Sequence, residues 1–84
     1  MIVYVAEYWD DEYGRPGGAI GVARTFKGAL NILASYEMKE FETKIVSQKI
    51  TSYGDGSHNK YVQFKDDDGF FSSEYSIREM ELNE

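Results

Sequence analysis

The chain has 84 residues, with 15 Asp and Glu against 9 Lys and Arg, a formal net charge of -6 and no cysteine. One domain with a single modest core is all that such a length allows, because a chain this short buries only roughly 60 to 65% of the surface its unfolded form exposes. The charge repels phosphate backbones and anionic lipid surfaces, which argues against direct nucleic-acid binding, and the lack of cysteine excludes disulfides, thiolate metal sites and thiol nucleophiles.

In chain order, the apolar start Met1-Ile2-Val3-Tyr4-Val5-Ala6 breaks at Glu7. It is too short for a signal-peptide core or a membrane span and has no basic leader, so a cytoplasmic location is expected. Ile2, Tyr4, Ala6 and Tyr8 alternate with Val3, Val5, Glu7 and Trp9, placing apolar residues on both faces, as an interior strand requires. Asp10 to Gly17 is all loop signal: Asp10, Asp11 and Glu12, then Tyr13-Gly14-Arg15-Pro16-Gly17-Gly18 with the only proline. A short second strand is expected at about Ala19 to Ala23, joined to the first as a hairpin. Gly14, Gly17, Gly18 and Gly21 follow neither phosphate-loop spacing, so they read as hairpin-loop glycines, with Gly21 marking a bulge or a close backbone approach.

Thr25 is placed to cap a helix running from Phe26 to about Lys39. Phe26, Ala29, Leu30, Leu33, Tyr36 and Glu37 recur at helical spacing, and all but Glu37 make one apolar stripe. Ile32 lies off the stripe and widens the buried face or touches a neighbour, while Gly28 suggests close packing at the helix start. Thr43 to Ser52 is rich in β-branched residues, with Ile45 on one face and Val46, Gln48 and Ile50 on the other. Tyr53 to Asn59 has the residues of a hairpin loop, and Lys60 to Lys65 alternates, with Tyr61 facing away from Val62 and Phe64. Asp66-Asp67-Asp68-Gly69 is a tight turn. The last strand, Phe70 to about Leu82, changes parity between Tyr75 with Ile77 and Met80 with Leu82, so a bulge or break is expected near Arg78-Glu79.

Together these give an α+β, two-layer fold in the order β-β-α-β-β-β, a twisted antiparallel sheet of about five strands with one helix packed across one face. The helix stripe is expected on Tyr4 or Val5, Ile20, Val22, Ile45, Val62, Phe64 and Ile77. One helix cannot cover both faces of such a sheet. Tyr8, Trp9, Tyr13, Tyr61, Phe70, Phe71 and Tyr75 are therefore expected on an open face or at its edge, where either a homodimer or partner, or the chain's own loops folded over them, would cover them.

Val3-Tyr4-Val5, the run Ile20-Gly21-Val22-Ala23-Arg24-Thr25 leading into a helix with Ala29, and the ending Tyr75 to Glu84 resemble small uncharacterised proteins of bacteria and their phages. The resemblance covers the two ends and the helix start but not Lys39 to Phe70. It implies a phage or mobile-element origin, in which small acidic proteins often bind and inhibit host machinery, and it assigns no catalytic residue.

Nothing in the residues supports catalysis. The single histidine, His58, falls in a loop, no serine sits in a nucleophile turn, and a carboxylate couple of Glu7 or Asp10 with Asp66 or Asp68 lacks cleft residues to desolvate it. Asp66-Asp67-Asp68-Gly69 resembles the start of a calcium loop, but Ile77 stands where the twelfth-position glutamate is needed, so neither a metal nor a cofactor is expected. The acidic runs read either as solvated loops that keep a small protein soluble or as a surface imitating nucleic-acid charge, and three readings of function follow. The first is a non-enzymatic inhibitor or adaptor whose acids imitate nucleic-acid charge and occupy a basic surface of a protein partner, a defence nuclease or CRISPR effector being a natural target. Its contact residues would be Trp9, Asp10, Asp11, Glu12, Tyr13, Asp66, Asp67, Asp68, Phe70 and Phe71. The second is a small-ligand or nucleotide module at a dimer interface, and the third a structural subunit pairing through its sheet edges.

Overall fold

Antiparallel pairing organises the computed structural model, which describes residues 1–10, 12–52 and 59–82. The strands β1 (Ile2–Asp10), β2 (Arg15–Ala23), β3 (Ile45–Ser52), β4 (Asn59–Asp66) and β5 (Tyr75–Glu81) form one five-stranded sheet in the order β2-β1-β5-β4-β3. A single helix among the described residues, α1 (Phe26–Phe41), connects β2 to β3 and packs on β2, β1 and β5. The α+β fold and the element order are those expected from the sequence. Of the loop expected between β3 and β4, Tyr53 to His58 lie outside the described residues, and Asn59 opens β4.

Register decides which side chains meet the helix. Ala6 pairs with Ile77, Tyr8 with Tyr75 and Val62 with Tyr75, so these residues share a face with Phe64, one step of alternation beyond Val62. Ala6, Ala29, Leu33, Val62, Phe64, Tyr75 and Ile77 form the fully buried cluster, ringed by Tyr4, Ile20, Ala23, Phe26, Leu30, Ile32, Tyr36 and Ile45. The opposite face carries Val3, Val5, Glu7, Trp9 and Met80 from β1 and β5, with Tyr61 from β4. Val22 pairs with Val5 and lies on that face, exposed, so it is not part of the helix contact expected from the sequence. Tyr75, expected on the open face, is wholly buried under the helix, and Tyr8 stands beside it with ring centroids 6.0 Å apart.

The helix begins where the cap predicts. Thr25 has an extended backbone and its hydroxyl accepts the N–H of Gly28 at 3.0 Å. Both glycines of this region exist for contact: a Cβ on Gly28 would lie 3.0 Å from that of Ala23, and one on Gly21 would lie 3.0 Å from Cγ2 of Ile32. Ile32 thereby packs its branched side chain onto the backbone of β2. Replacing Thr25 by alanine is expected to cost about 1 kcal/mol, the usual value of a lost N-cap, seen as a lower urea midpoint with an unchanged m-value.

Three sequence expectations need correction. β2 starts at Arg15, with Pro16 opposite Trp9, because an edge strand can accommodate a residue that donates no hydrogen bond. In β3 a register shift between Ile45 and Ser47 breaks simple alternation. Ile45, opposite Asp66, therefore shares a side with Gln48 and Ile50 rather than opposing them. β5 runs from Tyr75 to Glu81 with no register shift against β1, so the expected bulge near Arg78-Glu79 does not occur. The parity change has another cause: Ile77 faces the helix, whereas Met80 pairs with Val3 on the other face, and both faces carry apolar residues. The interruption falls earlier. Phe71 bridges to Lys65, and β5 begins only at Tyr75.

Candidate functional site at one end of the sheet

β1 and β4 both finish at the same end of the sheet, because each is antiparallel to β5. The helix finishes there too, since β2 runs back to the opposite end before α1 begins: Phe26 packs against Tyr4, and Glu37, eleven residues on by sequence, reaches Tyr75. The topology thus gathers the β1–β2 turn, the C-terminal turns of α1 and the β4–β5 connection at one end. The described acidic residues collected there are Asp10, Glu12, Glu37, Glu40, Glu42, Asp66, Asp67, Asp68 and Glu74.

The β4–β5 turn is built by Asp66. Its Oδ1 accepts the backbone N–H groups of Asp68 at 3.0 Å and Phe70 at 2.9 Å, while its carbonyl accepts the N–H of Gly69 at 3.2 Å. Gly69 sits at φ 89, the left-handed position that a three-residue hairpin loop assigns to glycine. Beyond it Ser72 substitutes for regular pairing: its hydroxyl accepts the N–H of Phe64 at 3.0 Å, and its N–H donates to the Phe64 carbonyl at 2.7 Å. This geometry pushes Phe70 into solvent, 71% exposed, and turns Phe71 toward Lys49 and Lys65, whose ammonium groups lie 5.8 and 5.9 Å from its ring centre. Asp67 and Asp68 are exposed. One oxygen from each of Asp66, Asp67 and Asp68 lies within 4.8 Å of the others, a spacing that a turn-forming Asp run produces by itself.

The helix end contributes the residue that the sequence marked as the exception on its stripe. Glu37 is only 4% exposed. Its Oε1 accepts the hydroxyl of Tyr75 at 2.6 Å and its Oε2 that of Thr43 at 2.8 Å; among the described residues no lysine or arginine pairs with it. The Tyr75 phenol is pushed well above its ordinary pKa, first by burial and then by its hydrogen bond to Glu37. Around this pair the rings pack edge to face, Tyr36 against Tyr75 at 6.0 Å and Tyr36 against Phe41 at 6.4 Å.

Electrostatics at this helix end run against stability. The partial negative charge of a helix C-terminus disfavours carboxylates there by about 0.3 to 1 kcal/mol each, yet Glu37, Glu40 and Glu42 cluster with Lys39 as the only basic residue of the last turn. Glu42 also caps the helix at φ 52, a left-handed conformation that normally falls to glycine or asparagine.

Between the helix end and the β4–β5 connection lies an open groove of about 250 Å³, lined by Glu37, Phe41, Thr43, Asp66, Phe70, Phe71, Ser72 and Ser73. Of the residues expected to contact a partner, Asp66, Phe70 and Phe71 line it and Asp67 and Asp68 adjoin it. Asp10 closes its own turn by accepting the N–H of Glu12 at 3.0 Å; Glu12 and Tyr13 are exposed on that turn, and Asp11 lies outside the described residues. Trp9 faces the open side of the sheet and stacks edge to face on Tyr61 at 5.0 Å, half-buried. Glu7 does not converge with the turn acids: it is buried on the open face with Arg78 Nε 3.1 Å from its Oε1, at ion-pair distance but without hydrogen-bond alignment. Glu37, Phe41 and Thr43 were missed as site residues. The available signal was a carboxylate four residues after Leu33 on an otherwise apolar stripe. No family model, curated protein or solved structure matches the chain.

Proposed function

We propose that the chain is a small, non-enzymatic protein-binding module that presents its acidic, aromatic end to a basic surface of another protein, as an inhibitor or adaptor. The observation that carries this reading is the gathering at one end of the sheet of Asp66, Asp67, Asp68, Glu40, Glu42, Asp10 and Glu12 with exposed Phe70, Phe41 and Tyr13. Carboxylates at that density speed the encounter with a cationic surface, and exposed rings supply the contact that persists once the partners meet. The resemblance implies a phage or mobile-element origin, for which a host defence or CRISPR protein with a basic groove that ordinarily holds nucleic acid is a natural target that no residue names. His58, on which a catalytic reading would rest, lies outside the described residues.

The other readings draw less support. A groove of about 250 Å³ is below the roughly 300 to 1,000 Å³ typical of sites for small molecules and cofactors, and the glycine-rich turn does not line it. Assembly through sheet edges would use β2 or β3. Both carry register shifts in their pairing, a feature that discourages further strand addition. Association that rises with concentration in the absence of a partner would favour β3, where Val46 and Ile50 are exposed.

The test is affinity capture from a host lysate at two salt concentrations, followed by association kinetics with the captured protein. Replacing Asp66, Asp67 and Asp68 together by asparagine keeps an acceptor oxygen at position 66 for the turn, so melting should change little. The on-rate at low salt should fall roughly tenfold or more, and the difference should shrink as salt is added. An unaltered low-salt on-rate would refute the reading.

A further inference from the structure

We propose that the groove between the end of α1 and the β4–β5 connection receives one arginine side chain of the partner. This inference rests on the protein-binding reading and assigns the chemistry of its central contact. The floor of the groove is the Glu37 carboxylate, nine-tenths buried, held by two neutral hydroxyls and ion-paired with no lysine or arginine among the described residues. Each of its oxygens accepts a single proton in this arrangement and retains a second lone pair. Asp66 spends Oδ1 on its turn, and its Oδ2 accepts from no described residue. A buried carboxylate with a second carboxylate at the rim asks for a cation that can reach both.

The walls select among cations. Phe41 and Phe70 stand exposed on the two sides of the groove, one at the helix end and one after the turn. A guanidinium is planar, stacks on aromatic faces and donates in a fork to carboxylates, whereas an ammonium is compact and strongly hydrated. The volume of about 250 Å³ suits a side chain rather than a nucleotide. Phe71 already has Lys49 and Lys65 near its ring, which leaves Phe41 and Phe70 as the faces for an incoming group.

The experiment requires no identified partner. N-acetyl-arginine amide and N-acetyl-lysine amide are titrated separately into the labelled protein, with amide shifts followed by NMR. The arginine derivative is expected to saturate at millimolar concentration and to move resonances of residues 37, 41, 43, 66 and 70–73, with the lysine derivative several-fold weaker. Phe70→Ala, at an exposed position that leaves the fold intact, should weaken arginine binding several-fold. Glu37→Gln, which retains an oxygen for the Tyr75 hydroxyl, should weaken it about tenfold. Non-saturating shifts spread over all the acidic loops, equal responses to the two amides, or unchanged affinity in both variants would each overturn the assignment. Should that happen while the triple Asn variant still slows association, the broader binding reading stands and the groove alone is excluded.

Discussion

Truncating Phe64 to alanine is expected to cost about 3 to 5 kcal/mol of folding stability. The ring is fully buried, packs 5.9 Å from that of Tyr75 and belongs to the cluster formed with Leu33, Val62 and Ile77. A domain of this length has roughly 4 to 13 kcal/mol to lose, at about 0.05 to 0.15 kcal/mol per residue, so the variant should lose between about a quarter and all of its stability. No other ring compensates. The helix concentrates its contacts on β2, β1 and β5, and β3 beyond β4 is largely exposed, so Phe64 is the large side chain that ties the outer hairpin to the helix layer. Phe70→Ala, six residues away, should change stability by less than about 0.5 kcal/mol because its ring touches mostly water. Urea unfolding of both variants checks the contrast. Similar losses at the two positions would mean that the ring at 70 packs in solution or that the one at 64 does not.

That contrast also shows where sequence reasoning succeeds in this chain. Alternation at Tyr61, Val62 and Phe64 separated core from open face correctly, because β4 is regular along that run. Thr25 and the stripe from Phe26 to Tyr36 placed the helix, because capping and helical period are local properties. Failures occurred where a residue's side depends on a partner strand. Ile45 does lie on the helix side as expected, but Gln48 and Ile50 share that side instead of opposing it, because one extra residue in β3 shifts parity, and nothing in Ile45-Val46-Ser47 signals it. Met80 suggested a bulge only because the sequence does not say that β1 offers Val3 on the far face.

The site was half legible for the same reason. Asp66-Asp67-Asp68-Gly69 and the phenylalanines after it form a turn by local chemistry, and their exposure follows. That the α1 C-terminus stands over this turn is a consequence of strand order, which composition and periodicity do not encode. Glu37 belongs to that tertiary layer. Its presence on the apolar stripe was visible, but its two hydroxyl donors come from Thr43, six residues on, and Tyr75, thirty-eight residues on. Tyr75 looked like surplus aromatic surface for the same reason: its parity fits either face until the β1 register places it opposite Tyr8 under the helix.

The Glu37–Tyr75 pair leads to the second large effect, a loss of stability at alkaline pH that a single hydroxyl governs. The phenol of Tyr75 is raised well above its ordinary value by burial, then by the hydrogen bond to Glu37 and its charge, with Tyr36 and Tyr8 adding smaller contributions. In the unfolded chain the same phenol ionises at about pH 10. Below that pH both states hold the proton and the contribution is fully present; above it the unfolded state releases the proton while the folded state keeps it. Stability should therefore fall by about 1.4 kcal/mol for each pH unit above about 10 until the folded phenol itself ionises. Tyr75→Phe removes that proton from both states. At pH 8 the variant should be about 1 to 3 kcal/mol less stable than the parent, since Oε1 of the buried carboxylate loses its donor. Between about pH 10 and 11.5 that deficit should close by about 2 kcal/mol. Taking the difference between parent and variant in urea unfolding at each pH cancels the other tyrosines and lysines to first order. A deficit that stays constant across the range would show that Tyr75 ionises as freely in the folded chain as in the unfolded one, and the floor of the groove would then be open to solvent.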